Sequence, residues 1–229
     1  MSKSVTTDNH GTATFAIGVL NHTDLKDCTL TVGVKNIALV SESKKLSAGK
    51  IYNITRSVAA KGHELSASAV GEIVGSDGMV YAVADKDYLP SGVTAVAMIA
   101  YLGKVNDTYN GGLAISLNDE DQTQSWSKAM NICNGKTAVP GGDWLLPRYS
   151  EWYLMFSANG GNQNSYTGLN SAITAAGGKA LQAGQYWTSS YWVKGKVTCM
   201  RLNKTGNVDH VKENQEYGWS YWVRASLAF

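Results

Sequence analysis

The side chains that most often perform catalysis or bind metal ions are few in this chain and far apart in sequence. They are His10, His22, Cys28, His63, Cys133, Cys199 and His210. No two histidines have HExxH spacing and no two cysteines form a CxxC pair, so a zinc or redox centre lacks its usual ligands. The sequence also lacks a Gly-x-Ser-x-Gly nucleophile elbow and the glycine-rich loops that hold nucleotide phosphates. We therefore expect no catalytic residue, no metal and no cofactor.

Two acidic stretches are the remaining candidates for a metal site. The segment Asn118–Asp121 has the composition of a calcium loop, but it lacks the alternating Asp-x-Asp-x-Asp-Gly pattern and the closing glutamate. We expect it to form a solvated turn that leads into a helix, where the helix dipole favours negative charge. Asp85 and Asp87 flank Lys86 in a polar segment before Pro90, which is typical of a surface loop.

Aromatic residues are concentrated near the C-terminus, and this concentration indicates binding rather than catalysis. They are Tyr186, Trp187, Tyr191, Trp192, Tyr217, Trp219, Tyr221 and Trp222. Tyr and Trp interleaved with charged residues are typical of binding hot spots. We expect Tyr186 and Trp187 to be buried, because they lie in a neutral run. The segment 216–222 carries aromatic residues on both faces of an extended chain, and these cannot all be buried in one core.

The overall composition narrows the class of partner. The chain has 229 residues, enough for one large or two small domains, and its formal net charge is only +2 with 17% charged residues. This net charge is too small, and the lysine and arginine residues are too scattered, to favour binding of nucleic acid. No run approaches the ~18 apolar residues of a membrane span, so we expect no direct membrane insertion. The first residues contain no hydrophobic signal segment, so the chain either does not use a signal peptide or has lost one.

The elements that must position these aromatic residues fall into two regions. Residues 1–58 predict a small β-module with strands near 12–20, 28–34 and 50–58 and turns at 21–24 and 47–49. Residues 59–229 alternate short strands at 79–83, 95–101 and 113–117 with helices. The helices are predicted near 125–133, 149–157 and 165–176, and the first buries a face containing Trp126, Ala129, Met130 and Cys133. Beyond residue 185 the pattern predicts strands and loops only.

Four spaced motifs carry a resemblance to a known family. They are Gly142–Trp152, Leu169–Gly178, Tyr186–Ser190 and Val223–Phe229. Together they resemble the C-type-lectin-like fold in the branch shared by Bacteroides-type fimbrillin-like surface proteins and the variable proteins of diversity-generating retroelements. The resemblance implies an α+β, C-type-lectin-like domain over residues 59–229. The N-terminal module, mainly through residues 46–54, is similar to the last strands of a fimbrillin-like β-sandwich.

The resemblance implies structural roles for several residues. They are Trp144, Trp152, Trp187, Arg224 and Phe229. Arg148 stands where the family usually has serine, so the second predicted helix lacks a common N-terminal cap. The residues Gly206–Val208 resemble a scaffold turn.

In retroelement variable proteins, adenine-specific mutagenesis diversifies codons before the closing strand, here about 188–222, and the side chains form a ligand surface on an unchanging fold. By resemblance, the displayed ligand-binding positions are Tyr191, Val193, Lys194, Arg201, Asn203, Asp209, His210, Val211, Glu213, Asn214, Tyr217, Trp219 and Tyr221. The calcium and sugar motifs of animal lectins are missing, so calcium-dependent sugar binding is not implied.

We therefore expect a non-enzymatic display protein at a cell surface or on a phage virion, which binds a protein or glycan receptor on another cell or phage host. The alternative is a structural fimbrial or adhesin subunit with a fixed interface, forming a homo-oligomer or larger surface assembly. A remote alternative is an enzyme of the formylglycine-generating type, whose fold is similar. That activity needs closely placed catalytic cysteines, for which Cys133 and Cys199 are poor candidates.

Overall fold

The chain divides into two compact units, Met1–Val58 and Ala59–Phe229. The computed structural model describes four short strands of the first unit, as backbone, and residues 60–229 of the second without 121–122, 161–162, 194–195 and 215–218. Residues 192 and 210–214 are described as backbone only.

The described strands of the first unit form two antiparallel pairs. Strand β1 (Thr23–Leu25) pairs with β4 (Lys44–Leu46), and β2 (Thr29–Val32) pairs with β3 (Lys35–Ala38). Strand β2 falls inside a predicted strand. The prediction of a turn at 21–24 is wrong for Thr23 and Asp24, because their backbone groups pair with β4. The predicted strands at 12–20 and 50–58 lie outside the described residues.

The second unit contains three α-helices and nine strands within its described residues. The helices are α1 (Trp126–Asn134), α2 (Tyr149–Ala158) and α3 (Thr167–Ala175). The strands are β5 (Ile73–Gly75), β6 (Val80–Tyr81), β7 (Ala95–Leu102), β8 (Gly112–Ser116), β9 (Asp143–Leu145), β10 (Gly184–Val193), β11 (Lys196–Leu202), β12 (Val208–Asn214) and β13 (Ser226–Ala228). All strand pairs are antiparallel. The class is therefore α+β, as the sequence predicted.

The main sheet has the order β6-β5-β7-β8-β13-β9 and is covered on both faces. Neighbouring residues of β7 alternate between two hydrophobic clusters, with Met98 in one and Ala97 and Ile99 in the other. Strand β8 is buried along its whole length. Such near-continuous apolar runs are typical of strands that lack a solvent face. Helices α2 and α3 cover the first cluster, and α1 contributes to the second.

All three predicted helices are confirmed. Helix α1 buries Ala129 and Cys133 and packs Trp126 and Met130 at the margin of the second cluster, which is the face predicted from residue spacing. Helix α2 begins at the predicted residue, and α3 lies within the predicted range. Between residues 185 and 229 the described chain contains strands, turns and loops without a helix, also as predicted.

Helix α2 begins correctly although Arg148 occupies the N-cap position. The backbone amide of Arg148 donates to the Glu151 carboxylate at 2.7 Å, which satisfies one of the free amides of the first turn. The amide of Tyr149 donates to the hydroxyl of Ser190 at 2.8 Å, and Ser190 belongs to β10. Ser190 of β10 therefore provides the hydrogen-bond acceptor at the start of α2 that an arginine side chain at the N-cap position cannot provide.

Candidate functional site

A buried ion pair fixes the segment that precedes the last strand. Arg224 is fully buried, and its Nε donates to Asp119 Oδ1 at 2.6 Å. Its two terminal nitrogens donate to the carbonyls of Ser116 and Lys179, each at 2.9 Å, and the Tyr186 hydroxyl donates to Asp119 Oδ2 at 3.0 Å. Burial raises the pKa of the Asp119 carboxyl, while the Arg224 charge opposes that rise. Arg224 thus has the structural role that the resemblance implied.

Asp119 and Glu120 do not form the solvated helix start that we expected for the segment 118–121, of which residue 121 lies outside the described residues. Asp119 pairs with Arg224, and the Glu120 carboxylate accepts from Lys136 Nζ at 2.8 Å. Helix α1 begins only at Trp126 and has no acidic residue in its first turn. Among the described residues no group of three potential metal ligands occurs.

Two buried aromatic rings form the base of a surface between β10 and the C-terminal segment. Trp187 and Tyr221 are 1% and 6% exposed, and their ring centroids lie 4.4 Å apart. The Trp187 indole nitrogen donates to the carbonyl of Gln124 at 2.6 Å. Both rings are therefore held by packing, and Trp187 is also held by a hydrogen bond.

Two exposed aromatic rings lie near this base along the chain, with Trp219 two residues before Tyr221 and Tyr191 four residues after Trp187. Trp219 is 55% exposed and its ring centroid is 6.3 Å from that of Tyr221. Tyr191 is 61% exposed and packs edge-on against half-buried Trp126, with centroids 5.5 Å apart. The Trp126 indole nitrogen donates to the Thr188 carbonyl at 2.9 Å. We call Trp126, Tyr191 and Trp219, with their base of Trp187 and Tyr221, the aromatic patch.

Main-chain hydrogen bonds hold the segment that follows Trp219. Gln124 and Tyr221 exchange two backbone hydrogen bonds of 2.9 and 3.1 Å. The amide of Trp222 donates to the Gln185 carbonyl at 2.9 Å, and the amide of Trp187 donates to the Trp222 carbonyl at 3.0 Å. The aromatic patch therefore lies on backbone that is tied to β10 and to the start of α1.

Five of the predicted display positions carry exposed side chains. They are Tyr191, Val193, Arg201, Asp209 and Trp219. Arg201 and Asp209 lie directly opposite each other on β11 and β12. Directly opposed residues on antiparallel strands share a face, so this pair presents two opposite charges side by side.

The prediction that Tyr221 is displayed is wrong. Its side chain is only 6% exposed, because its ring packs between Trp187 and Trp219. It therefore supports the exposed tryptophan instead of facing a ligand itself.

Asn203 also has a structural role that the prediction missed. Its Oδ1 accepts from the backbone amides of Thr205 and Asn207 at 3.1 and 2.9 Å. Gly206 has a φ of +87°, a left-handed conformation that glycine adopts without strain. The turn between β11 and β12 is therefore built by Asn203 and Gly206. The predicted turn at Gly206–Val208 is confirmed only at Gly206, because Asn207 forms a β-bridge and Val208 begins β12.

The remaining display positions are described in part or not at all. Lys194 and Tyr217 lie outside the described residues, and only the backbone is described for His210, Val211, Glu213 and Asn214. In the strand register, positions 209, 211 and 213 pair with 201, 199 and 197, whereas 210, 212 and 214 pair with 200, 198 and 196. These two sets belong to opposite faces of the sheet. The predicted list therefore joins positions from both faces of the sheet.

Neither described cysteine offers a reactive thiol. Cys133 and Cys199 are unbridged and fully buried. Burial raises the pKa of the Cys133 thiol to about 12, so it stays protonated at neutral pH, whereas nucleophilic cysteines act as thiolates. Cys28 lies outside the described residues.

The sequence pattern did not reveal the contribution of Trp126 to the surface. It placed this residue on the buried face of α1, whereas the ring is half-buried and packs against exposed Tyr191. Its position as the first residue of the helix was the available signal, because a large ring there extends beyond the face that packs on the core.

No helix in the described part of the chain is long and apolar enough to span a membrane.

No family model matches the chain, and no curated protein does either. Among solved structures, the chain is similar to a fimbrial protein from Bacteroides ovatus, with 12% sequence identity and a TM-score of 0.49. The match covers 71% of this chain and 49% of the fimbrial protein, so the chain spans about half the length of that protein.

Proposed function

We propose that residues 59–229 form a non-enzymatic binding domain of a cell-surface or phage protein, and that the aromatic patch contacts a protein or glycan receptor. The exposure of Tyr191 and Trp219 carries this proposal. Their side chains are 61% and 55% exposed, and each ring packs against a more buried aromatic ring, Trp126 for Tyr191 and Tyr221 for Trp219. Exposed aromatic residues supply a large contact area and lose little side-chain entropy on binding. Arg201 and Asp209, exposed on the same β10-β11-β12 sheet, would add polar contacts.

A finer proposal is that this unit is a C-type-lectin-like domain whose segment 188–222 is diversified by a retroelement. In its support, Tyr191, Val193 and Trp219 are exposed, whereas the proposed scaffold residues Trp187 and Arg224 are buried. Sequencing the gene and its flanking DNA in a growing population tests this proposal. Substitutions confined to adenine-derived positions of these codons, beside a near-identical template repeat, would support it. A uniform gene without a repeat would refute diversification and leave a fixed binding surface.

Replacing Tyr191 and Trp219 together by alanine tests the role of the aromatic patch. We expect the variant to lose binding to intact bacterial cells and to a glycan array, with a melting temperature close to that of the unchanged protein. Tyr88→Ala is the matched control, because Tyr88 is 43% exposed and lies outside the patch. Binding that survives the double replacement, or disappears in the control, would contradict the proposed surface.

The second candidate is a structural fimbrial or adhesin subunit, and the edge of the β10-β11-β12 sheet favours it. On the side of β12 away from β11, the described residues cover only its start, where the Val208 amide donates to the Asn164 carbonyl at 2.9 Å. An unpaired strand edge can accept a strand from another chain. Light scattering after size-exclusion chromatography separates the candidates. Ordered polymers would favour the subunit, and a monomer or closed oligomer would favour receptor binding.

A further inference from the structure

A cleft of about 540 Å³ opens beside the start of α2, and none of the predicted display residues lines it. Its walls come from the 106–109 loop, the second half of α1, the end of β9, the start of α2 and Ser189 of β10. The volume is within the range of about 300–1,000 Å³ found for small-molecule sites. The cleft is therefore large enough for a ligand of the size of one or two sugar residues.

The lining combines an apolar wall with neutral polar groups. Met130, Leu145 and Leu146 provide the apolar part, and Asn134 and Ser189 contribute an amide and a hydroxyl. Amides and hydroxyls both donate and accept hydrogen bonds, as sugar hydroxyls do. A saccharide, with its apolar C–H face and its ring of hydroxyls, matches this combination.

Arg148 carries the one positive charge among the described residues that line the cleft, and this charge partly offsets the rise that burial causes in the pKa of the Glu151 carboxyl. The Arg148 side chain is exposed and forms no ion pair there, while the neighbouring acids are engaged. Asp107 pairs with Lys104 at 2.7 Å, and the buried Glu151 accepts the Arg148 backbone amide at 2.7 Å. Asp143 accepts the Tyr109 hydroxyl at 2.9 Å. The guanidinium fork of Arg148 is therefore available to bind a carboxylate.

The cleft walls are held in place without a ligand. Asn106 Oδ1 accepts the amides of Thr108 and Tyr109 at 2.8 and 3.0 Å, which fixes the loop. The Ser189 amide donates to the Pro147 carbonyl at 3.0 Å, which ties β10 to the residue before Arg148. Preformed walls reduce the entropy lost on binding.

We propose that this cleft binds a carboxylated sugar residue, with its carboxylate on Arg148 and its hydroxyls on the neighbouring amide and hydroxyl side chains. This site is separate from the aromatic patch and does not depend on it. A surface protein with both sites would contact an acidic glycan at a second point.

Titration of the full chain with glucuronate, followed by protein NMR chemical shifts, tests the proposal against glucose and acetate as probes. We expect shifts in residues 106–109, 134 and 145–151 with glucuronate, at least tenfold weaker binding of glucose and of acetate, and loss of glucuronate binding in Arg148→Gln. Arg148→Lys keeps the positive charge but lacks the planar guanidinium fork, so its affinity for glucuronate should lie between those of the unchanged protein and Arg148→Gln. Lys204→Gln, which removes an exposed cation outside both the cleft and the predicted display positions, is the matched control and should bind glucuronate normally.

Several results would overturn the assignment. Equal binding of acetate and glucuronate would mean a simple anion site, and binding of an acidic peptide without glucuronate would mean a protein site. Unchanged glucuronate binding in a folded Arg148→Gln, or no shift at millimolar glucuronate, would remove the site altogether. Tyr191→Ala/Trp219→Ala should retain glucuronate binding, so failure of the patch proposal and failure of this one are distinguishable.

Discussion

Arg224 and Asp119 illustrate how much of this fold depends on single buried charges. The two residues are 105 positions apart in sequence, and their contact at 2.6 Å joins the segment before β13 to the residues that follow β8. A buried charge that loses its partner keeps its full desolvation cost. Residues of this kind are predicted to dominate stability, whereas exposed residues of the aromatic patch are predicted to contribute little to it.

Replacing Arg224 by methionine should lower the free energy of unfolding by about 3–5 kcal/mol, because Asp119 would remain buried without its cation. Urea unfolding followed by circular dichroism measures the change. The double variant Arg224→Met/Asp119→Leu should recover part of the loss, since it removes both charges. A single variant as stable as the unchanged protein would show that the ion pair is not needed.

The Glu151 carboxyl should make stability depend on pH. It is 4% exposed, and burial raises its pKa despite the hydrogen bond from the Arg148 amide. The folded state therefore binds the proton more strongly than the unfolded state, and this contribution to stability falls as pH rises from the ordinary carboxyl pKa through the raised one. Glu151→Gln has no such loss. The free energy of unfolding of Glu151→Gln, relative to that of the unchanged protein, should increase as pH rises over that range. A difference that stays constant with pH would refute the raised pKa of Glu151.

The two neighbouring aromatics Tyr221 and Trp219 should respond differently to truncation. Tyr221→Ala removes a ring that is 6% exposed and should cost about 3–5 kcal/mol of folding free energy. Trp219→Ala removes a ring that is 55% exposed and should change stability by about 0.5 kcal/mol or less. Chemical unfolding of both variants distinguishes them. Similar losses in the two would mean that Trp219 belongs to the core.

At the scale of elements, the helices and the central strands follow directly from the pattern of apolar residues. Helix α1 has apolar residues at helical spacing, and β7 is a continuous apolar run, so both were predictable. The cap of α2 was not predictable from the sequence, because the acceptor Ser190 is 41 residues away from Tyr149 in the chain. Sequence patterns describe what lies within a turn or a strand, whereas this cap depends on how β10 packs against α2.

Replacing Ser190 by alanine should destabilise the protein by about 1 kcal/mol, since the Tyr149 amide at the start of α2 loses its acceptor. Ser189→Ala is the neighbouring control, and we expect it to change stability by about 0.5 kcal/mol or less. Thermal unfolding monitored at the helical signal compares the two. If both serines prove equally important, the cap assignment is wrong.

At the scale of the whole molecule, the two units should differ in independence. The described residues of the second unit form two large hydrophobic clusters, and a segment with a core of this size is expected to fold by itself. We expect the isolated segment 59–229 to unfold cooperatively, with a melting temperature within a few degrees of the corresponding transition in the full chain. Calorimetry of both proteins tests this. A segment that unfolds without a cooperative transition would show that the second unit needs the first.

The candidate sites show where prediction from sequence stops. The crowding of aromatic residues indicated the right region, and Tyr191 and Trp219 are exposed there. Sequence alone did not distinguish Tyr221 from its neighbours, because exposure within an extended segment depends on which ring meets Trp187. The cleft beside Arg148 was not predicted, since its walls come from five separate parts of the chain.

The main-chain hydrogen bonds around the aromatic patch have a consequence for how this surface can evolve. The bonds that tie Tyr221 to Gln124, and Trp222 to Gln185, join amides and carbonyls that every residue except proline possesses. The backbone structure that supports the surface therefore depends little on which side chains occupy the exposed positions. A collection of variants randomised at 191, 193, 201, 209 and 219 should retain folding in most members while changing what the surface recognises, which makes this unit a natural scaffold for selecting new binders.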